Sequence, residues 1–373
     1  MNLENLERFN AWLQAEKLEA ALLSNPATLT WLTGYAPPIQ TGPSPFEGGP
    51  ALAWARAGEL TVIASDAEAG AVAGAGAPVQ DYVSYTIAEP LRGAQNQAAA
   101  LRRLLEGSPA DRVGVEYNTL PASFLPGLHQ ALPEASFRPV DGAFDRLRAV
   151  KTAGEVSRIR AALRLCDLAQ GFVRDSLQPG LAEIELWGLL KARLELEAGG
   201  RLPVLADLVG GLRTAEVGGL PGAYRLQAGD PVIADIVPRL DGYWGDNAGT
   251  HFLGHPQPEL KKIYAIVRDA LRRGVDAVRP GVLACDLDAM LREQVQAAGY
   301  APYPHHSGHG LGASFHEEPR LVPDNDLPLE TGMVVAIEPG IYVPGLGGVR
   351  LEDVVLVQPG GCELLTTHLV DEV

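Results

Sequence analysis

Half of the chain's eight histidines fall in one stretch, Tyr303-Pro-His-His-Ser-Gly-His-Gly-Leu-Gly-Ala-Ser-Phe-His-Glu-Glu-Pro319. Three of them, His305, His309 and His316, stand four and seven residues apart, and Gly308 and Gly310 beside His309 let the backbone approach a bound group closely. Acids in apolar company lie on both sides of this stretch. Asp235 follows Val232-Ile-Ala, and Glu338 follows Val334-Val-Ala-Ile. Carboxylates disfavour strands and a buried charge needs a partner, so both read as ligands in place of solvated surface groups. Asp246 comes 11 residues after Asp235, and Glu352 comes 14 after Glu338. Turn residues intervene (Asp241-Gly242; Pro344-Gly345 and Gly347-Gly348), so a hairpin would fold each second acid back towards the first. Asp246 and Glu352 sit in more polar surroundings and, taken alone, leave ligand and surface acid equally open. Four carboxylates on one sheet face repel strongly at low dielectric unless cations lie among them, and two divalent ions balance four charges. One imidazole with four carboxylates is a hard donor set, suited to Mn²⁺, Fe²⁺ or Co²⁺ more than to structural zinc.

The elements that position these acids repeat. Leu226-Gln-Ala-Gly-Asp-Pro-Val-Ile-Ala-Asp235 resembles Leu329-Glu-Thr-Gly-Met-Val-Val-Ala-Ile-Glu338, with Leu226/Leu329, Gly229/Gly332 and Asp235/Glu338 all at an offset of 103. Two ordinary glycine-led strands could match over ten residues. Pro179-Gly180 and Pro280-Gly281, each ahead of an apolar helix at an offset of 101, favour true repetition. Apolar spacing predicts helices over Glu155–Gln170, Ile184–Glu197, Leu260–Val278 and Leu287–Ala298, with strand pairs over 230–253 and 332–358. The second part of the chain is therefore read as α+β, with helices covering a largely antiparallel sheet.

A boundary near Phe144–Lys151 divides the chain into expected domains 1–145 and 146–373. The first part reads as a smaller α/β layer domain. It has a helix over Leu6–Glu16, a strand over Ala20–Ser24 ending at the Asn25-Pro26 turn, and strands Ala51–Trp54 and Leu60–Ala64 about Gly58. A helix over Ala98–Leu105 and a strand over Val113–Glu116 follow. Segment 35–50, with Pro37, Pro38, Pro43, Pro45 and Pro50, reads as a loop. The 373 residues are 46% apolar, enough for two cores. A net charge of −16 argues against nucleic acid and anionic membrane partners. Three cysteines without CxxC spacing fit a reducing compartment. The N-terminus shows no apolar signal region, and no apolar run approaches a membrane span, so a cytoplasmic protein is expected.

With these motifs in order, the sequence resembles the pita-bread metallopeptidases, which include prolidase, aminopeptidase P, methionine aminopeptidase and creatinase. LEAALLSNPATLTWLTGY (18–35) is similar to the start of their creatinase-type N-terminal domain, and RLRAVKTAGEV (146–156) to their linker. IADIVPRLDGYWGD, SGHGLG, HEEP, IEPGIY and GVRLED follow in family order. The resemblance implies a creatinase-type N-terminal domain before a pita-bread catalytic domain. It implies metal ligands Asp235, Asp246, His309, Glu338 and Glu352, with Asp246 and Glu352 bridging two divalent ions and Asp235 chelating one. Mn²⁺ or Co²⁺ is expected ahead of Zn²⁺ or Fe²⁺. It further implies attack on a scissile carbonyl by a metal-bound hydroxide, with Glu338 as proton shuttle and His316 steadying the tetrahedral intermediate. His305 and Arg350 would shape the pocket, and Thr250 would hold a ligand carboxylate. The implied activity is cleavage of short peptides at Xaa-Pro bonds, by a homodimer.

The chain also departs from that pattern. Family members place another histidine in the loop before the first ligand strand, where the register here gives Gly218, and no histidine occurs between His129 and His251. The usual Asp-Ile-Thr-Arg-Thr is Asp246-Asn-Ala-Gly-Thr250, and segment 36–55 has no arginine. A glycine-rich, mobile loop over Gly210–Tyr224 is expected, in which Arg213 is either a solvated loop residue or the replacement donor that would hold a peptide carboxylate and broaden selectivity beyond proline. Two other readings stand beside the Xaa-Pro peptidase. One is release of C-terminal residues using Arg213, Arg225 or Arg350; the other is a non-catalytic binding module of the same fold.

Overall fold

The computed structural model describes residues 1–39 and 46–368; Pro43 and Pro45 of the proline-rich segment lie outside the described residues. Chain contacts divide it into two units, Met1–Leu147 and Arg148–Val373.

The first unit is built on a six-stranded mixed sheet. Its strands run Val79–Tyr82, Glu59–Ser65, Leu52–Arg56, Ala20–Leu23, Arg112–Val115 and Ser136–Pro139 across the sheet. Ala20–Leu23 is buried along its whole length, as an unbroken apolar run predicts for a central strand. The Asn25-Pro26 turn does more than end that strand. Asn25 accepts a hydrogen bond from the Ala27 N–H (2.9 Å) and Pro26 opens the helix Pro26–Thr33. That is an N-cap followed by an N1 proline. Trp31 of this helix packs edge-on against Phe144, which stacks on Phe9.

The second unit repeats itself. Helices Ala153–Ser176 and Glu183–Ala198 belong to its first half, and Pro258–Ala277 and Ala284–Ala297 to its second. The Gly180 N–H donates to the Leu226 carbonyl at 2.8 Å, and the Gly281 N–H to the Leu329 carbonyl at 2.8 Å. Gly180 and Gly281 have φ of 86° and 89°, and Gly229 and Gly332 have 92° and 95°. These are left-handed turns that only glycine enters cheaply. The same hydrogen bonds and turns at the same offsets establish the repeat in three dimensions.

The expected single sheet is instead several. Asn247–Phe252, Pro231–Leu240 and Val204–Gly210 form one, in that order, with the short Tyr243–Trp244 strand on the end of the middle one. Glu317–Leu321, Gly308–Gly310, Val334–Ile337, Asp353–Gln358 and Gly361–Leu364 form a second, and Gly340–Val343 pairs with Gly347–Arg350 as a separate ribbon. The break falls after Arg350. There the chain bridges the halves through the Glu352 N–H to the Ala248 carbonyl (2.9 Å), with Thr250 bonded to the Arg350 backbone. The strand Val204–Gly210 was not anticipated from sequence, and it forms a wall of the site.

Candidate metal centre

Five side chains from these strands meet in one cavity of about 490 Å³, which Asp235, Asp246, His309, Glu338 and Glu352 all line. Asp235 is carried by Pro231–Leu240, His309 by Gly308–Gly310, and Glu338 and Glu352 by the residues at the ends of two paired strands. One ligand atom from each of Asp246, His309 and Glu352 lies within 4.8 Å of the others. The His309 Nδ1–H donates to the Gly310 carbonyl (3.0 Å). This leaves the Nε2 lone pair facing Asp246 Oδ2 at 3.5 Å and Glu338 Oε1 at 3.7 Å. Burial keeps this imidazole neutral by lowering its pKa. A lone pair and carboxylate oxygens turned towards one another repel, and a cation between them turns that repulsion into coordination.

The acids show the same strain. Burial, followed by repulsion from Glu338 and Asp207 against the pull of Arg350, raises Asp235 to about 6. Burial and then neighbouring carboxylates push Asp246 and Glu352 well above the usual range. Glu338 goes the other way: against burial, a hydrogen bond from His306 and the nearby imidazoles bring it down to about 2. Asp235 Oδ1 and Glu352 Oε1 are buried with no hydrogen-bond partner among the described residues. Unpartnered buried carboxylate oxygens are costly. Two such atoms in a hard, oxygen-rich set fit divalent metal ions.

The remaining predicted residues divide. His305 and His316 line the cavity. His305 donates through Nδ1 to the His306 carbonyl (2.7 Å), so its Nε2 accepts from the Tyr342 hydroxyl (2.9 Å). His316 is pushed down to about 3 by burial and then by His309 and His306, and therefore remains a neutral donor. Arg350 reaches the cavity with both terminal nitrogens engaged, while its buried Nε has no partner among the described residues. Its Nη2 lies 2.8 Å from Asp235 Oδ2 and 3.2 Å from Asp207 Oδ2, and Nη1 donates to the Val217 carbonyl at 2.9 Å. Thr250 holds no carboxylate; its hydroxyl donates to the Arg350 carbonyl (2.8 Å) and accepts from the Arg350 N–H.

Arg213, expected to hold a substrate carboxylate, has partners within the protein. It pairs with buried Glu183 and donates to the Leu220 carbonyl at 3.1 Å. Glu183 also accepts from the Gly210 N–H (2.7 Å) and the Gly222 N–H (2.8 Å), so one carboxylate ties both ends of the loop expected to be mobile. Gly211 and Thr214 of that loop are buried.

The Metallopeptidase family M24 profile matches residues 157–359, more than half of the chain, and the Creatinase/Prolidase N-terminal domain profile matches residues 5–150. The chain belongs to metallopeptidase family M24. An Xaa-Pro dipeptidase of Pyrococcus furiosus is 33% identical to this M24 chain over 257 residues, covering 69% of it and 74% of the relative. A solved structure of an Xaa-Pro dipeptidase from Bacillus anthracis matches with a TM-score of 0.84 at 26% identity, covering 98% of this chain and 97% of that one. A dipeptidase from Pyrococcus horikoshii OT3 matches with a TM-score of 0.82 at 31% identity, covering 98% of each. The expected fold, a creatinase-type domain before a pita-bread catalytic domain, is the fold these relatives share with it. Membership makes the chain a metal-dependent hydrolase of peptide bonds. No described helix is long and apolar enough to cross a membrane.

Two residues of the M24 site escaped the sequence reading. His306 sits 2.8 Å from Glu338 Oε1, and with His309 and His316 it forms a cluster of imidazoles. Asp207 comes from the unanticipated strand and faces Arg350. A usable signal existed for Asp207: Leu205-Ala-Asp-Leu-Val is an acid in an apolar run, like the run around Asp235.

Proposed function

We propose that this chain is a two-metal dipeptidase of the Xaa-Pro type, acting on short peptides. The observation that carries the reading is the neutral His309 Nε2 facing the Asp246 and Glu338 carboxylates in a cavity shared with Asp235 and Glu352, each of which has one buried oxygen without a partner. Asp235, Asp246, His309, Glu338 and Glu352 would hold the ions. Bound divalent ions offset the clustered negative charge and activate water for attack on a peptide carbonyl. Glu338, already ionised, takes the proton of the attacking water and passes it to the leaving nitrogen. His306 rests against it and steadies that carboxylate. His316 donates to the oxygen of the carbonyl as charge develops there. The apolar side chains of Trp187, Leu205, Leu220, Pro221 and Phe315 line the cavity and suit a small apolar substrate.

The hard donor set favours Mn²⁺ or Co²⁺ over Zn²⁺ or Fe²⁺, and a cytoplasmic homodimer acting on short peptides completes the reading. Release of C-terminal residues through Arg213 or Arg350 is disfavoured, because both guanidiniums are committed to acids of the protein. The test is a panel of Xaa-Pro dipeptides, longer Xaa-Pro peptides and non-proline peptides, each with added Mn²⁺, Co²⁺ or Zn²⁺ and products identified by mass. Metal-dependent cleavage of the Xaa-Pro dipeptides above all others is expected. Cleavage confined to longer peptides, or full activity in a verified metal-free preparation, would refute the reading.

A further inference from the structure

Asp207 lies directly across the ladder from Asp235, so the two carboxylates leave the sheet on the same face. Opposed like charges destabilise a strand pair. Here Arg350 Nη2 lies between them, 2.8 Å from Asp235 Oδ2 and 3.2 Å from Asp207 Oδ2. That contact uses one oxygen of Asp207. The other, Oδ1, has no hydrogen-bond partner among the described residues, and the side chain is 35% exposed in the cavity wall. Gly218 backs this carboxylate so closely that a Cβ there would stand 2.1 Å from Oδ2. A side chain at position 218 would therefore force the Asp207 carboxylate to move.

The surroundings define what the corner accepts. Its neighbours in the wall, Trp187, Leu205, Leu220 and Pro221, are apolar. Arg350, the only guanidinium or ammonium group among the described lining residues, is already bonded to two carboxylates and to the Val217 carbonyl. The corner therefore presents a free acceptor in an apolar wall, beside a cation whose two terminal nitrogens are both engaged and whose Nε is buried. It repels a substrate carboxylate and attracts a nitrogen that carries both charge and N–H bonds.

We infer that Asp207 is a specificity-determining residue that receives a cationic nitrogen of the peptide, its free α-ammonium, and so sets which end of the substrate enters first. The inference rests on the peptidase reading above and deepens it. A basic side chain offers the same chemistry, and the test separates the two sources.

The experiment compares wild type with Asp207→Asn, which keeps an acceptor for Arg350 and removes the charge. Values of kcat/KM are measured on Leu-Pro, N-acetyl-Leu-Pro and Lys-Pro with Mn²⁺-loaded protein. Calorimetric binding of leucinamide and N-acetyl-leucinamide to the same protein gives a second readout independent of turnover. The preference for the free over the acetylated amine should fall by about tenfold or more in the variant, in rate and in binding alike, as expected for loss of one charged hydrogen bond. If the preference for Lys-Pro over Leu-Pro falls instead, the cation is a side chain, and only the source named here is overturned. Equal preferences in variant and wild type would overturn the proposal whatever the absolute rates, because a disturbed Arg350 would slow all substrates alike. Failure of wild type to cleave any peptide would refute the peptidase reading, and the binding comparison would still report on Asp207.

Discussion

His316 and Arg213 were both expected to touch substrate, and their surroundings separate them. His316 lines the cavity within 4.3 Å, centroid to centroid, of the His309 ring, and with a pKa of about 3 it keeps a neutral N–H at working pH. Placed as an oxyanion donor, His316→Ala should lower kcat by about 10²–10³. Bound metal, counted by elemental analysis, should stay unchanged; a change in KM alone would make it a positioning group. Arg213 is tied to Glu183 and Leu220, so Arg213→Ala should slow a free-carboxylate peptide and its C-terminal amide by the same factor. A loss confined to the free carboxylate would return Arg213 to the site. At this scale the sequence showed most of the chemistry. Asp235 and Glu338 stood out because an acid in an apolar run has few structural uses. Asp207 carried the same signal and was passed over, because its strand was not recognised. His306 was passed over because residue spacing cannot tell which of two adjacent histidines turns towards Glu338.

Among elements, the long helices were the most legible, because their apolar spacing persists over many turns. Ala153–Ser176 even carries its own start signal, a reciprocal pair of hydrogen bonds between Thr152 and Glu155. Val204–Gly210 is hidden because Asp207 interrupts its apolar run and exposed Leu205 breaks any alternation of buried and exposed positions. The loop expected to be mobile has ties that its glycines do not reveal. Five glycines between 210 and 222 suggest freedom, but Glu183, in the first turn of a helix, supplies the acceptor that holds them. The repeat was legible because its turns need glycine. Gly281 has φ of 89° in open space, so Gly281→Ala should cost about 1–2 kcal/mol through backbone strain alone. Gly188 lies within the helix Glu183–Ala198, with no atom within 4 Å of an added Cβ, so Gly188→Ala should stabilise by about 0.5–1 kcal/mol. Denaturant unfolding of both variants checks the pair. Opposite signs are expected, and a neutral Gly281→Ala would show that this turn tolerates a side chain.

For the whole molecule, the question is how a chain of net charge −16 tolerates four further-clustered acids. Without cations, Asp235 is raised to about 6, and Asp246 and Glu352 are raised further above their ordinary values. An acid raised in this way keeps a proton that the unfolded chain has already lost. Its contribution to stability is therefore full below the unfolded pKa and is lost as pH rises through the folded value. Glu338, held at about 2, has the opposite sign, but its contribution fades only as pH falls below its unfolded value towards 2. The lowered imidazoles His305 and His316 lose stability as pH falls below their unfolded value. Subtracting the melting temperature of chelated protein from that of loaded protein isolates the effect of the ions, and between pH 5 and pH 7 the protons they displace come chiefly from the three raised acids. That gap should widen from pH 5 to pH 7, because metal must displace protons that grow scarcer as pH rises. Mn²⁺ binding at pH 6 should accordingly release protons, measured by calorimetry in two buffers of different ionisation enthalpy. A gap that narrows with rising pH, or binding without proton release, would mean that the ions sit elsewhere than among Asp235, Asp246 and Glu352.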